Sequence, residues 1–176
     1  MKTAKRLLSV FLVLIFILLI TGLFLLNRLK RSAIPDYNKN LQIAGLTEEV
    51  TVFRDSYGIP HIYAKDENDL YRSVGFVMAQ DRLWQMDLLR RVTQGRLSEI
   101  LGKDQINTDL LMRALRIQEK SEKILQESQP EISAALHAFS EGMNYYIENF
   151  PLPPEFKVLG YTVSYTHLTL PTNREV

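Results

Sequence analysis

Residues 50–102 read VTVFRDSYGIPHIYAKDENDLYRSVGFVMAQDRLWQMDLLRRVTQGRLSEILG. Val50-Thr51-Val52-Phe53 is β-branched and aromatic, the composition of a strand. Arg54-Asp55-Ser56-Tyr57-Gly58 is turn chemistry, with Gly58 free to take a positive φ. Ile59 to Ala64 reads as a second strand, and Pro60 near its start marks an edge or strand end. The two runs predict an antiparallel hairpin. Asp66-Glu67-Asn68-Asp69 then opens a helix. Asp66 is its cap, and Asp69 three residues on completes a capping-box-like pattern with acids near the positive end of the dipole. Leu70, Val74, Val77 and Met78 carry the apolar positions of this helix. Gly75 costs about 1 kcal/mol of helix propensity and leaves room for close packing against another element. Gln80-Asp81-Arg82 interrupts apolar sequence just before Leu83-Trp84-Gln85-Met86. An Asp–Arg pair there is expected to be hydrogen-bonded and partly buried, with a catalytic Asp81 as the alternative. Gly95 is the candidate C-cap, and Leu97 to Gly102 predicts a short further turn.

Toward the C-terminus, Asn107 or Thr108 caps a new helix with apolar residues at Leu110, Leu111, Ala114, Leu115, Ile117, Ile124 and Leu125. Pro130 suits the first position of a last helix. Its stripe Ile132, Leu136, Phe139, Met143, Tyr146, Ile147 and Phe150 keeps i, i+3/i+4 spacing. Pro151-Leu152-Pro153-Pro154 stops it. Toward the N-terminus, Leu7 to Leu26 is twenty residues without a charge, about 30 Å of helix and the thickness of a bilayer core. Lys2, Lys5 and Arg6 precede it, and Arg28, Lys30 and Arg31 follow. The run exceeds the roughly 7–15 apolar residues of a signal peptide, and no small-x-small cleavage site follows it. An uncleaved signal anchor is therefore favoured over a cleaved signal peptide, with the rest of the chain exported. Ser32 to Gly45 reads as a linker with a short strand at Leu41 to Ala44.

The chain of 176 residues is 46% hydrophobic and 23% charged, with a net charge of +1. No strong field draws it to nucleic acid. It has no cysteine, which rules out disulfides, Cys-ligated zinc and a Cys nucleophile. Its three histidines, His61, His137 and His167, are far apart, unlike a His-rich metal site. Asp55, Ser56 and His61 invite a triad, but a hairpin does not force the three together. Asp66 to Asp69 lacks the glycine and distal Glu of an EF-hand loop, so a cap is the better reading. His137 sits beside the apolar stripe of its helix as a boundary residue.

With these residues in view, the chain resembles the penicillin acylase (penicillin amidase) family of N-terminal-nucleophile hydrolases. The resemblance rests on an ordered set: Val52-x-Arg54-Asp55-x-x-Gly58-x-Pro60-His61-Ile62-x-Ala64; Gly75-Phe76-Val77-x-Ala79-Gln80-Asp81-Arg82-Leu83-Trp84-Gln85-Met86; Arg91-x-x-x-Gly95-x-Leu97-x-Glu99-x-x-Gly102; Ala138-Phe139-x-x-Gly142-Met143-Asn144; and Pro153-Pro154-Glu155-Phe156. It covers about Leu41 to Thr162 and matches the N-terminal part of the family's α chain. It implies a precursor that cleaves itself into α and β chains, an αββα sandwich, and a nucleophile at the β-chain N-terminus. The α-amino group of that nucleophile, with a pKa of about 7.7–8.0, can take the hydroxyl proton near working pH. An oxyanion hole stabilises the tetrahedral intermediate.

No Gly-Ser, Gly-Thr or Gly-Cys junction and no Ser-Asn pair occurs in this sequence. The expectation is thus an inactive fragment with no catalytic, cofactor-binding or metal residue of its own. Calcium belongs to the full-length family member, with ligands further on. The implied partners are the remainder of the α chain, the β chain of the heterodimer, a small-molecule amide substrate such as a β-lactam side chain or acyl-homoserine lactone, and the bilayer through residues 7–26. Nucleic acid is not among them. The expected organisation is an anchor at 1–31, a linker at 32–49, the α-chain part at 50–162, and a non-native, adaptor-like tail at 163–176, so that His167 has no role. The expected fold class is α+β, mostly helical with a short hairpin, plus an N-terminal transmembrane helix. The competing reading is a membrane-tethered helical interaction module without catalysis.

Overall fold

The structure is a computed structural model that describes residues 2–31 and 34–161. The tail expected at 163–176, His167 included, lies outside the described residues. The chain divides into two units, Met1–Asp36 and Tyr37–Val176.

In the first unit, α1 (Lys2–Arg31) is one continuous helix. Val10–Leu29 within it is long and apolar enough to cross a membrane by length and composition. This span overlaps the expected run at residues 7–26; a signal sequence meets the same criterion. Thr21, the polar residue in its middle, donates its hydroxyl to the Ile17 carbonyl at 2.8 Å. That bond satisfies the Thr21 hydroxyl within the helix itself.

The second unit is mostly helical with one two-stranded sheet. Strands β1 (Thr51–Arg54) and β2 (Pro60–Tyr63) pair antiparallel, Thr51 opposite Tyr63 and Arg54 opposite Pro60. The hairpin forms where the sequence predicts it. The strand expected at Leu41 to Ala44 does not form. That segment is held instead by single contacts, among them the Tyr145 hydroxyl on the Gln42 carbonyl at 2.7 Å.

Helix α2 (Glu67–Gln94) starts at Asp66, whose carboxylate accepts from the Asn68 and Asp69 amides. It ends at Gly95, which has φ 63° and ψ 47°, the left-handed cap that glycine adopts without a Cβ clash. After α3 (Ser98–Leu101) and a 3₁₀ turn at Lys103–Gln105 come α4 (Ile106–Leu115) and α5 (Ile117–Glu127). The sequence reads these last two as one helix. The structure breaks it at Arg116, with φ 54° and ψ 39°. Neither Asn107 nor Thr108 is the cap, because the 3₁₀ turn runs directly into α4, with the Gln105 amide on the Gly102 carbonyl and the Ile106 amide on that of Lys103, and Gln105 stands at the cap position. Helix α6 (Pro130–Asn149) begins on its proline as expected, and α7 (Pro154–Val158) follows the Pro-rich stop.

The core lies where α2 crosses α6. Phe76, Val77, Ala79 and Leu83 of α2 meet Met143 and Tyr146 of α6 and Phe156 of α7. Two glycines set how closely the helices approach. A Cβ on Gly75 would stand 2.0 Å from the Phe139 carbonyl oxygen, and one on Gly142 would stand 1.9 Å from that of Arg72. Backbone thus packs on backbone at both points, and the close packing expected at Gly75 is present. Arg72 and Glu141 tie the same crossing by an ion pair. Aromatic rings close the lower end. Phe76 stands edge-on to Tyr146 and Phe150, and Trp84 edge-on to Phe156.

Candidate functional site

The joint between the hairpin and α2 carries the residues that chemistry would use first. In the turn, Asp55 Oδ1 accepts from the Tyr57 and Ile59 amides, both at 2.9 Å. Its other oxygen lies 3.4 Å from His61 Nε2. The Ile59 amide is the chief reason that the Asp55 carboxyl lies below its ordinary range; exposure to the Tyr57 amide and His61 adds to it and outweighs partial burial. Register explains the meeting with His61: Phe53 pairs with His61, so the base of the turn brings Asp55 alongside. Neither Asp55 nor His61 bonds the Ser56 hydroxyl. The structure assembles a pair here, not a triad, and Asp55 spends itself on turn amides.

Behind the turn, Arg54 grips Asp81 with both arms, Nη1 to Oδ2 at 2.8 Å and Nη2 to Oδ1 at 3.0 Å. This is the bidentate geometry that fixes orientation as well as charge. The same guanidinium reaches Gln80 Oε1 at 3.1 Å and the Gly58 carbonyl at 3.2 Å. It lies 4.2 Å from the ring centre of Tyr37, whose hydroxyl donates to Asp81 at 3.2 Å. Burial, with Asp81 beside it, pushes the Tyr37 phenol up. The pair expected within Asp81-Arg82 is therefore replaced by Arg54–Asp81. Neighbouring residues on a helix point about 100° apart and do not face each other. Arg82 moreover has non-helical φ −140° and ψ 21°, a kink in α2, and turns to Gln85 at 3.4 Å.

Three fully or nearly buried aspartates make up the rest of the polar framework. Asp69 does not complete a capping box. It accepts from the Thr47 hydroxyl at 2.6 Å and the Glu48 amide at 2.9 Å, so it clasps the incoming segment to α2. Burial pushes its carboxyl up, but the Thr47 and Glu48 donors and Arg72 outweigh this and hold it below the ordinary range. Asp87 accepts from the Tyr161 hydroxyl at 2.8 Å, Arg90 at 2.9 Å and Arg91 at 3.0 Å. Its burial is likewise outweighed by these donors, and its carboxyl lies low. The Tyr161 phenol is pushed well up by burial and by Asp87. Arg91 continues to Glu99 at 3.0 Å. Asp109 accepts from the Leu97 and Ser98 amides at 2.8 and 2.9 Å and so caps the start of α3 from another helix.

These carboxylates are held ionised by donors that already occupy them. Such groups fix chain segments; none is poised to exchange a proton near neutral pH. His137 has a partner that its sequence neighbours did not announce, Glu141 one helical turn on at 3.3 Å. Among the described residues, no three His, Asp or Glu side chains converge as a metal site would. The residues that sequence reading missed are Asp87 and Tyr161, at the centre of the Arg91–Glu99 network. The available signal was Asp87 spaced i, i+3 and i, i+4 from Arg90 and Arg91 on one helix.

A family profile described as penicillin amidase matches residues 49–170. The chain is 40% identical over 131 residues to the penicillin acylase 2 proenzyme of Pseudomonas sp. strain SE83, covering 74% of this chain and 17% of that protein. It is 37% identical over 122 residues to penicillin G acylase of Escherichia coli, covering 66% and 14%. It is 34% identical over 125 residues to the acyl-homoserine lactone acylase QuiP of Pseudomonas fluorescens, covering 70% and 16%. Among solved structures, a thermostable penicillin G acylase from Alcaligenes faecalis superposes with a TM-score of 0.60 at 29% identity, covering 66% of this chain and 64% of that one. The chain thus spans less than a fifth of the length of these curated relatives.

Proposed function

Because this chain belongs to the penicillin amidase family, we propose that it is the α-chain N-terminal part of an acylase that hydrolyses the linear amide of N-acylated small molecules. The observation that carries this reading is the match at 34–40% identity to relatives of both penicillin and acyl-homoserine lactone type, with the family profile running across the hairpin, α2 and α6. These relatives act on different amines, so the shared chemistry is cleavage of an acyl–nitrogen bond.

In this reading the reaction runs on a nucleophile supplied by another part of the protein. Its own amine takes the hydroxyl proton, the oxygen attacks the amide carbonyl, the proton passes to the departing amine as the C–N bond breaks, and water then hydrolyses the acyl ester to free the acid and restore the nucleophile. The present residues contribute position. Arg54–Asp81 fixes the hairpin on α2, and Asp87 fixes the end of the described chain on the same helix through Tyr161. By itself the 176-residue chain is inactive. Val10–Leu29 tethers the protein to the membrane, with the acylase part on the extracytoplasmic side. Calcium in the full-length protein is placed by this reading on residues further along; the buried Asp69, Asp87 and Asp109 carboxylates are already occupied by protein donors.

The test is hydrolysis by the protein made from its native gene. Penicillin G, a phenylacetyl amide and acyl-homoserine lactones of graded chain length are supplied, and release of the free amine is followed. Release from at least one class is expected. No release from any of them, by protein shown to be cleaved into two chains, sinks the reading.

A further inference from the structure

Helix α1 carries charge where the direction of insertion gives no reason for it. Lys2, Lys5 and Arg6 precede the apolar span Val10–Leu29, and Arg28, Lys30 and Arg31 close the helix. Cations on the cytoplasmic flank orient a span, and those on the exported flank work against that orientation. With the tethering stated above, Arg28 and Arg31 are on the exported flank. Six Lys and Arg residues and no Asp or Glu come before Asp36, so the rest of the chain is net acidic and is repelled by an anionic surface. The negative end of the helix dipole favours a cation in the last turn, but one would serve, and it would serve equally in any lipid.

The helix sets both guanidinium groups on one side. Phe24, Asn27, Arg28 and Arg31 stand at i, i+3, i+4 and i+7 and line one groove along α1. All four are exposed, and neither arginine side chain has a partner among the described residues. Leu29 ends the apolar span. Arg31 lies about 4.5 Å beyond Arg28 along the axis, so the two straddle that end while Phe24 stays at the depth of the acyl chains. An arginine at this depth lays its stem on the chains and extends its head to the interface. There its planar fork matches a phosphate with two parallel N–H donors, and the Asn27 amide between them adds a further donor. We propose that this face of α1 binds anionic phospholipid, with Arg28 and Arg31 on the headgroup phosphate and Phe24 along the acyl chain. The inference rests on the tethering reading above and not on the acylase chemistry.

The experiment uses the protein made from its native gene, with a photo-crosslinking phenylalanine analogue in place of Phe24. It is reconstituted in nanodiscs of equal parts phosphatidylcholine and phosphatidylglycerol, and the captured lipid is identified by the mass of the adduct. Phosphatidylglycerol adducts are expected at about fivefold the yield of phosphatidylcholine adducts, the weight of roughly one cation at a charged surface, and the excess is expected to shrink in high salt. Arg28→Gln with Arg31→Gln is expected to bring the two yields within about twofold of each other. This variant keeps Lys2, Lys5 and Arg6 for insertion, which is checked by resistance to alkaline extraction. Arg31→Gln alone, beyond the apolar span, serves where the pair fails to insert, and is expected to lower the excess part of the way. Equal yields from the two lipids in the arginine-bearing protein overturn the proposal, as does an excess that the inserted variants retain in full. Recovery of the protein without residues 1–31 sinks the tethering reading and the proposal together; recovery of the intact helix with equal yields sinks the proposal alone.

Discussion

In the second half of α6 the apolar row turns inward: Phe139 packs on the core, and Met143 and Tyr146 are 1% and 2% exposed. In α4 the corresponding rows turn outward, with Leu110 and Leu111 exposed, although both helices read as amphipathic in sequence. What separates them is the neighbour. Helix α6 meets α2 through paired glycines, so its apolar side finds a surface shaped for it. Helix α4 meets α2 and α3 through Asp109 and Arg113, so its polar side is claimed first. A hydrophobic stripe announces that it will be covered, but its partner need not belong to the same stretch of chain.

Substitutions can sharpen or break this contrast. The largest effect is expected at Asp87, on the well-packed side. Asp87→Ala leaves Arg91 nearly buried beside an empty position and removes the acceptor of Tyr161. Breaking one partner of such a buried pair costs about 3–5 kcal/mol, read as a fall in the melting temperature of the chain in detergent. The same group sets an acid limit. The Asp87 and Asp69 carboxyls lie below their unfolded value of about 3.9. Their contribution is whole above that pH and is lost as the pH falls through the lower, folded values. Stability should therefore hold on descent to about pH 4 and drop below it, and Asp87→Asn should flatten that drop.

Next in size is Gly142→Ala. Its Cβ would meet a main-chain carbonyl, which cannot rotate away, so the helices must part. Overpacking of this kind costs about 1–3 kcal/mol. A melting temperature equal to wild type would mean that α2 and α6 are not in backbone contact. A smaller change of opposite sign is expected at the elbow between α4 and α5. Arg116 holds a left-handed conformation that costs a side-chain-bearing residue about 1–2 kcal/mol. Arg116→Gly should relieve part of that, less the lost Glu119 pair, and raise the melting temperature slightly. Destabilisation would point to a continuous helix through residue 116.

Much of this could be read from the residues. The hairpin, the Asp66 cap, the Gly95 cap and the Pro130 start each follow from local chemistry, and the structure shows all of them. The break at Arg116 could not be read, because a charged residue between two helical runs carries no stop signal. Partners far apart in sequence were also hidden. Asp81 waits for Arg54 across a turn, and Asp87 for Tyr161 at the far end of the described chain. The ordered motif set that named the family holds Arg54 and Asp81 as letters, although their contact was not visible as geometry; Asp87 and Tyr161 lie outside it. The outward face of α4 was legible as a stripe and not as an exposed one, since periodicity gives the phase of a helix but not what lies opposite it.

The central claim is that this chain is scaffold and that catalysis needs the rest of the protein. Its most direct test is complementation. The 176-residue chain and the remainder of the native protein are expressed separately and together, and release of amine from the best substrate is measured. The account predicts no release from the 176-residue chain alone and recovery of hydrolysis when both parts are made in the same cell. Hydrolysis by the 176-residue chain alone, or full activity of the remainder without it, would contradict the account.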